Sequence, residues 1–187
     1  MLSGATAAID VSIRSLALSL NTPALVELWE NLSLLGSVPV LTSFVVFTIV
    51  CLWLMERGSE ARWLLFVMLG SVALEQSIKW LVHRPRPEEV YLGTLPASFS
   101  FPSGQALNNM VFYFALAHLL ARMPRSALDW MALTVAITVT LLIGVSRIFL
   151  GMHYLSDVAG GYLVGMVWLL IVTSKSSRWC ESPSTKG

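Results

Sequence analysis

The sequence predicts an all-α fold, a polytopic bundle of transmembrane helices, and three observations carry that reading. Hydrophobic residues make up 56% of the chain and charged residues 12%, with a mean hydropathy of +0.72; soluble domains carry about twice that share of charge. Five runs approach the roughly 20 apolar residues that a spanning helix needs. All but one of the connections between these runs are short.

The runs cover residues 37–55, 61–82, 103–121, 128–150 and 154–173. The second carries Glu75 and Lys79 near its end. Residues 56–60 and 122–127 read as turns. The connection from 83 to 101 is long, polar and rich in Pro and Ser, and long loops are where sites concentrate. Ahead of the first run, Ile9, Ile13, Leu16 and Leu20 recur at helical spacing, as do Leu25, Leu28, Trp29 and Leu32, with Asn21-Thr22-Pro23 between the two sets. Segments that short and interrupted fit two amphipathic helices lying in the membrane interface. The chain therefore divides into 1–36 interfacial helices, 37–174 membrane domain and 175–187 polar tail. Residues 1–36 hold Asp10, Arg14, Glu27 and Glu30 and lack the pattern of a cleavable signal peptide.

Composition also excludes. A net charge of +1 does not suit a nucleic-acid binder, which needs a basic face. Cys51 and Cys180 lie far apart, one in an apolar run and one in the tail, and read as neither a disulfide nor a metal pair.

Five spans put residues 56–62, 122–127 and the tail on one side of the membrane. That side holds Arg57, Arg62, Arg122, Arg125, Lys175, Arg178 and Lys186, seven of the twelve Lys and Arg residues. It is cytoplasmic by the positive-inside rule. The opposite face carries Arg14, Lys79, Arg84, Arg86 and Arg147.

Four of those five surround other polar groups. Ionisable residues near or within spans default to a functional reading. Arg147 and Asp157 lie at adjoining ends of the fourth and fifth runs with His153 between them, and Pro102-Ser103-Gly104 opens the third. Taken singly these features are ordinary: cations at a membrane edge snorkel to headgroups, and Ser or Gly at a helix start is common capping. Several helices bringing such groups to one depth is not ordinary. Arg offers phosphate a planar fork and Lys a point charge, and a helix start favours an anion. His153 and Asp157, four apart, can meet on one helix face, where a carboxylate fixes the tautomer and sharpens the other ring nitrogen as a nucleophile.

These residues form a pattern that resembles the type-2 phosphatidic acid phosphatase superfamily, to which bacterial acid phosphatases and vanadium haloperoxidases also belong. The family's first motif is Lys, six residues, then Arg-Pro, matched by Lys79 and Arg86-Pro87. Its third is Ser-Arg, five residues, His, three residues, Asp, matched by Ser146-Arg147, His153 and Asp157. Its second is Pro-Ser-Gly-His, and here the chain reads Pro102-Ser103-Gly104-Gln105. The resemblance implies that Lys79, Arg86, Ser103, Gly104 and Arg147 bind phosphate, that His153 attacks phosphorus, and that Asp157 orients it. It also implies that no metal or other cofactor is needed. Many members have six spans, one more than the five read here. The implied activity is hydrolysis of a lipid phosphate or diphosphate through a phosphohistidine. Polyprenyl diphosphate, phosphatidylglycerol phosphate, phosphatidate and a phosphorylated lipid A are the candidates. The seven-to-five split of Lys and Arg turns the site away from the cytoplasm, to the periplasm if the membrane is a bacterial inner membrane.

Gln105 stands where the family's histidine protonates the leaving oxygen, and a carboxamide has no such proton to give. Three readings follow: a substitution that impairs turnover, a natural feature of an enzyme acting on diphosphates or transferring phosphoryl groups, or a lipid binder without turnover. A transporter, whose polar groups would be spread through the membrane depth, and a haloperoxidase, whose relatives are soluble, fit less well.

Overall fold

The computed structural model describes residues 4–87, 97–121 and 127–174. Within them the chain forms helices α1 (Gly4–Leu20), α2 (Pro23–Leu35), α3 (Val38–Leu54), α4 (Gly58–Val82), α5 (Gly104–Leu120), α6 (Ala127–Phe149) and α7 (Leu155–Ser174), and no strand among the described residues. The expected tail 175–187, most of the 122–127 turn and part of the 83–101 connection lie outside the described residues, and so does Cys180.

Local chemistry accounts for the breaks. Thr22 caps α2 by accepting a hydrogen bond from the Leu25 N–H at 3.3 Å, and Pro23, which has no N–H to lose, occupies the first turn. Gly36 and Ser37 separate α2 from α3. His83 ends α4 in the left-handed region, with φ 50°. That conformation is uncommon for a residue with a Cβ and turns the chain sharply toward Arg84 and Arg86. Between α6 and α7, Gly151 takes φ 70°, which glycine adopts without steric penalty.

Among the described residues, four stretches are long and apolar enough to cross a membrane: Pro23–Leu54, Gly58–Val82, Trp130–Phe149 and Leu155–Ser174. The sequence suggests five. The first of the four runs through α2 and α3; α5, at 17 residues as long as α3, sits at the centre of the bundle. α4, α6 and α7 all pack against α5, so it faces protein more than lipid and can carry Asn108 and Asn109 on a buried face. Its Leu107, Val111, Phe112 and Ala115 form the core with Leu64 and Val67 of α4 and Leu169 of α7. Close approach of α7 depends on small residues: a Cβ on Gly161 would lie 2.9 Å from the Ser103 carbonyl oxygen. The outside is apolar too, with Val38, Phe47, Leu69, Leu81, Trp130 and Leu163 all exposed. Such a surface suits hydrocarbon rather than water, and the chain is an integral membrane protein.

The two N-terminal helices form where the sequence expects them. They also do more than an interfacial reading implies. α2 lies along α6, and α1 contacts both α6 and α7, which brings Asp10 and Ser33, both buried, to the polar end of the bundle.

Candidate active site

The C-terminal ends of α4 and α6 and the N-terminal ends of α5 and α7 converge at one end of the bundle. There they enclose a cavity of about 270 Å³ lined by Lys79, Arg86, Gly104, Gln105, Arg147 and His153, together with Glu75 and Asn108. Six of the eight site residues read from the sequence thus line one space. The other two sit behind it. Asp157 is fully buried next to His153. Ser103 is also fully buried, its hydroxyl has no hydrogen-bond partner, and its N–H donates to the Asp157 carbonyl at 3.0 Å.

The hydrogen bonds around His153 settle its tautomer. Arg86 Nη1 lies 3.2 Å from His153 Nε2. A guanidinium has only donors, so Nε2 accepts and its lone pair faces the cavity side. The proton therefore sits on Nδ1, which is 3.4 Å from the Ser100 hydroxyl and 3.6 Å from Asp157 Oδ2. Ser100 in turn donates to Asp157 Oδ2 at 2.5 Å, so the serine bridges an imidazole–carboxylate gap that is long for a direct bond. Burial pushes the His153 imidazole down to about 4, and the charges of Arg86 and Arg147 push the same way, while Asp157 opposes them. At neutral pH the ring is uncharged, as a nucleophile must be.

Asp157 is held by a network the sequence does not announce. Its Oδ1 accepts from Arg84 Nη1 at 2.6 Å, and its Oδ2 also accepts from the Tyr154 N–H at 2.9 Å. Arg84 belongs to this scaffold rather than to the cavity. Its other nitrogen donates to Asp10 Oδ2 at 2.7 Å, and its guanidinium stacks 4.3 Å over the Tyr154 ring. Asp10 then accepts from the Ser156 N–H at 2.9 Å and from the Ser156 hydroxyl at 2.5 Å. Of the three basic residues at 79–86, Arg84 is the one bound to Asp10 and Asp157, while Lys79 pairs with Glu75 inside the cavity lining.

The cations that do line the cavity are positioned by neutral groups and one acid. Arg86 donates to the Ser98 carbonyl at 2.8 Å, the Ser98 hydroxyl at 2.9 Å and the Met152 carbonyl at 3.0 Å. Burial pulls its guanidinium below the ordinary value, opposed by Asp157 and Glu75, yet it stays a cation. Arg147 Nη1 donates to Ser33 Oγ at 2.6 Å, and Ser33 donates to Gln105 Oε1 at 3.4 Å. Lys79 Nζ is 2.7 Å from Glu75 Oε1. Three cations and one carboxylate leave the lining with a net charge of +2, which matches a doubly charged phosphoryl group.

Asp10, Ser33, Ser98 and Ser100 are the residues that sequence reasoning missed. Asp10 and Ser33 lie far from the motifs along the chain, and no spacing rule links them to the site. Ser98 and Ser100 fall in the polar 83–101 connection, where the density of Ser between the first two motifs was the available signal. Among the described residues, no three His, Cys, Asp or Glu side chains gather so as to hold a metal ion.

Comparison with known proteins gives the family and the fold. A family model described as the PAP2 superfamily matches residues 60–179. Phosphatidylglycerophosphatase B of Bacillus subtilis (strain 168) is 28% identical over 165 residues, covering 87% of this chain and 81% of that protein. The crystal structure of a transmembrane PAP2-type phosphatidylglycerolphosphate phosphatase from Bacillus subtilis superposes with a TM-score of 0.87 at 26% identity, covering 95% of this chain and 89% of that one. Aquifex aeolicus LpxE shares the fold, with a TM-score of 0.67 at 24% identity over 88% of this chain and 94% of that one.

Proposed function

This chain belongs to the PAP2 superfamily, and from that premise we infer that it is a lipid phosphatase whose His153 forms a phosphohistidine with a lipid phosphate or diphosphate. The observation that carries the reading is His153 Nε2. It is uncharged at neutral pH and bonded to Arg86, in a cavity whose lining also holds Lys79 and Arg147. Phosphoryl transfer needs little beyond positioning and charge stabilisation, and three cations around a buried imidazole supply both. Nε2 attacks phosphorus, the bond to the leaving oxygen breaks, and the charge that builds on the equatorial oxygens meets Lys79, Arg86 and Arg147. Asp157 and Ser100 keep the ring proton on Nδ1. The N–H groups at the start of α5, where Gly104 and Gln105 line the cavity, add donors for the same anion.

The substrate is a lipid because the cavity opens at the end of a bundle with an apolar exterior, and the relatives named above include a phosphatidylglycerophosphatase. Gln105 favours a diphosphate over a monoester. A departing phosphate is stable as an anion, whereas a departing alkoxide needs a proton that a carboxamide does not give. The same residue supports a second reading, a family member that holds a phospholipid headgroup without turning it over.

Phosphate release from polyprenyl diphosphate, phosphatidylglycerol phosphate, phosphatidate and a phosphorylated lipid A separates the two. The phosphatase reading expects turnover of at least the diphosphate and acid-labile label trapped on His153. Label on another residue, or label that persists in His153→Ala, overturns the nucleophile assignment. Binding of all four lipids with no release supports the second reading.

A further inference from the structure

The role left open by Gln105 points to Glu75, a residue outside the family's three motifs. Glu75 sits in α4 one turn before Lys79, is buried, and lines the same cavity as His153 and Gln105. An acid buried inside a spanning helix is expensive and calls for a reason. Its neighbours hold it as an acceptor. Lys79 Nζ approaches Oε1 at 2.7 Å, and Asn108 Nδ2 donates to Oε2 at 2.6 Å. The Asn108 carbonyl lies 2.8 Å from the Ser71 hydroxyl, which also lies 2.8 Å from the Met68 carbonyl. The Asn108 N–H₂ end faces the carboxylate. The absence of a side chain at Gly104 makes the room: a Cβ there would overlap the Glu75 carboxyl group. The carboxylate thus lies against the first residue of α5, immediately beside Gln105.

We propose that Glu75 is the general base for the second half of the reaction, doing for the attacking water what Gln105 cannot. The proposal rests on the phosphohistidine reading. Once His153 carries the phosphoryl group, water attacks phosphorus. Its oxygen forms the new P–O bond, one of its protons passes to the Glu75 carboxylate, the P–Nε2 bond breaks, and the electron pair returns to the imidazole. Inorganic phosphate leaves. The proton on Glu75 then passes to solvent. The lining's net charge of +2 lets one carboxylate stay close to a phosphoryl group.

The test follows label from a polyprenyl diphosphate carrying a radioactive terminal phosphate, in wild type, Glu75→Gln, Gln105→His and the double variant. Thermal unfolding of each shows that the bundle is intact. In Glu75→Gln, steady-state turnover is expected to fall by about 100-fold or more, while acid-labile phosphoenzyme on His153 accumulates toward one per site. Adding Gln105→His to that variant is expected to restore turnover, since an imidazole beside the same water is again a base. If Glu75 only braces Lys79 and Asn108, phosphoenzyme formation slows in step with turnover and nothing accumulates. That result, unchanged turnover in Glu75→Gln, or no rescue by Gln105→His overturns the proposal. A wild-type chain that releases phosphate without labelling His153 removes the phosphohistidine reading, and this assignment with it.

Discussion

Arg84 offers the sharpest test of the site's construction, because its position in the sequence suggests one role and its contacts another. It lies between Lys79 and Arg86, where a phosphate ligand would be at home, yet it bonds the Asp10 and Asp157 carboxylates at 2.7 and 2.6 Å. Both acids are buried, Asp157 completely. Arg84→Ala therefore strands two carboxylates without a counter-charge. Removing one partner of a buried ion pair costs about 3–5 kcal/mol. Arg84 is 15% exposed, which places the expected loss near the lower end, about 3 kcal/mol. At about 2–4 °C per kcal/mol for a chain of this size, the unfolding midpoint in detergent should fall by roughly 6–12 °C. Asp10→Asn in the same chain should recover part of that loss, because only Asp157 then lacks a partner. Arg84→Lys should fall between, since a point charge cannot bridge two carboxylates as a fork does. The assay is thermal unfolding alongside KM and kcat on a lipid diphosphate. A midpoint within about 2 °C of wild type together with a raised KM would show that Arg84 serves phosphate, and would refute the scaffold assignment.

Further expectations concern acid, proton donation and orientation. The His153 imidazole is held at about 4, below its ordinary 6.5. The folded chain therefore binds fewer protons than the unfolded chain between those values, and this contribution to stability is intact above pH 6.5 and lost as pH falls toward 4. The acid limb of kcat/KM that reports His153 should accordingly lie nearer 4 than 6.5, and it should rise in Arg86→Gln, where one repelling charge is gone. A limb near 6.5 that Arg86→Gln does not move contradicts the burial of the ring. Gln105→His should raise hydrolysis of lipid monoesters by about 100-fold or more, and that of a polyprenyl diphosphate by much less, with affinity little altered. Parallel kinetics of the two variants on both substrate types decide it. The proposed periplasmic orientation of the site predicts that, with both native cysteines replaced by serine, an impermeant thiol reagent added to intact cells labels Ala97→Cys and spares Ser59→Cys. The opposite pattern inverts the topology.

Composition and spacing carry the helices, the polar end of the bundle and the motif residues that line its cavity. Apolar runs of spanning length can satisfy their backbone in lipid only as helices, so α3, α4, α6 and α7 follow from composition and length. The motif residues Lys79, Arg86, Gln105, Arg147 and His153 are legible because each is anchored to a helix end, where spacing along the chain becomes spacing in space. Tertiary structure decided what lies behind them. Asp10 reaches Arg84 across 74 residues and Ser33 reaches Arg147 across 114, separations at which no periodicity survives. Whether a cation faces substrate or carboxylate is likewise absent from the sequence: Arg84 and Arg86 are two residues apart and meet different partners, Asp157 and His153. Glu75 reads in the sequence as a stray charge in a span. Only the close packing of α4 on α5, at a glycine that leaves space for a carboxylate, brings it to the cavity.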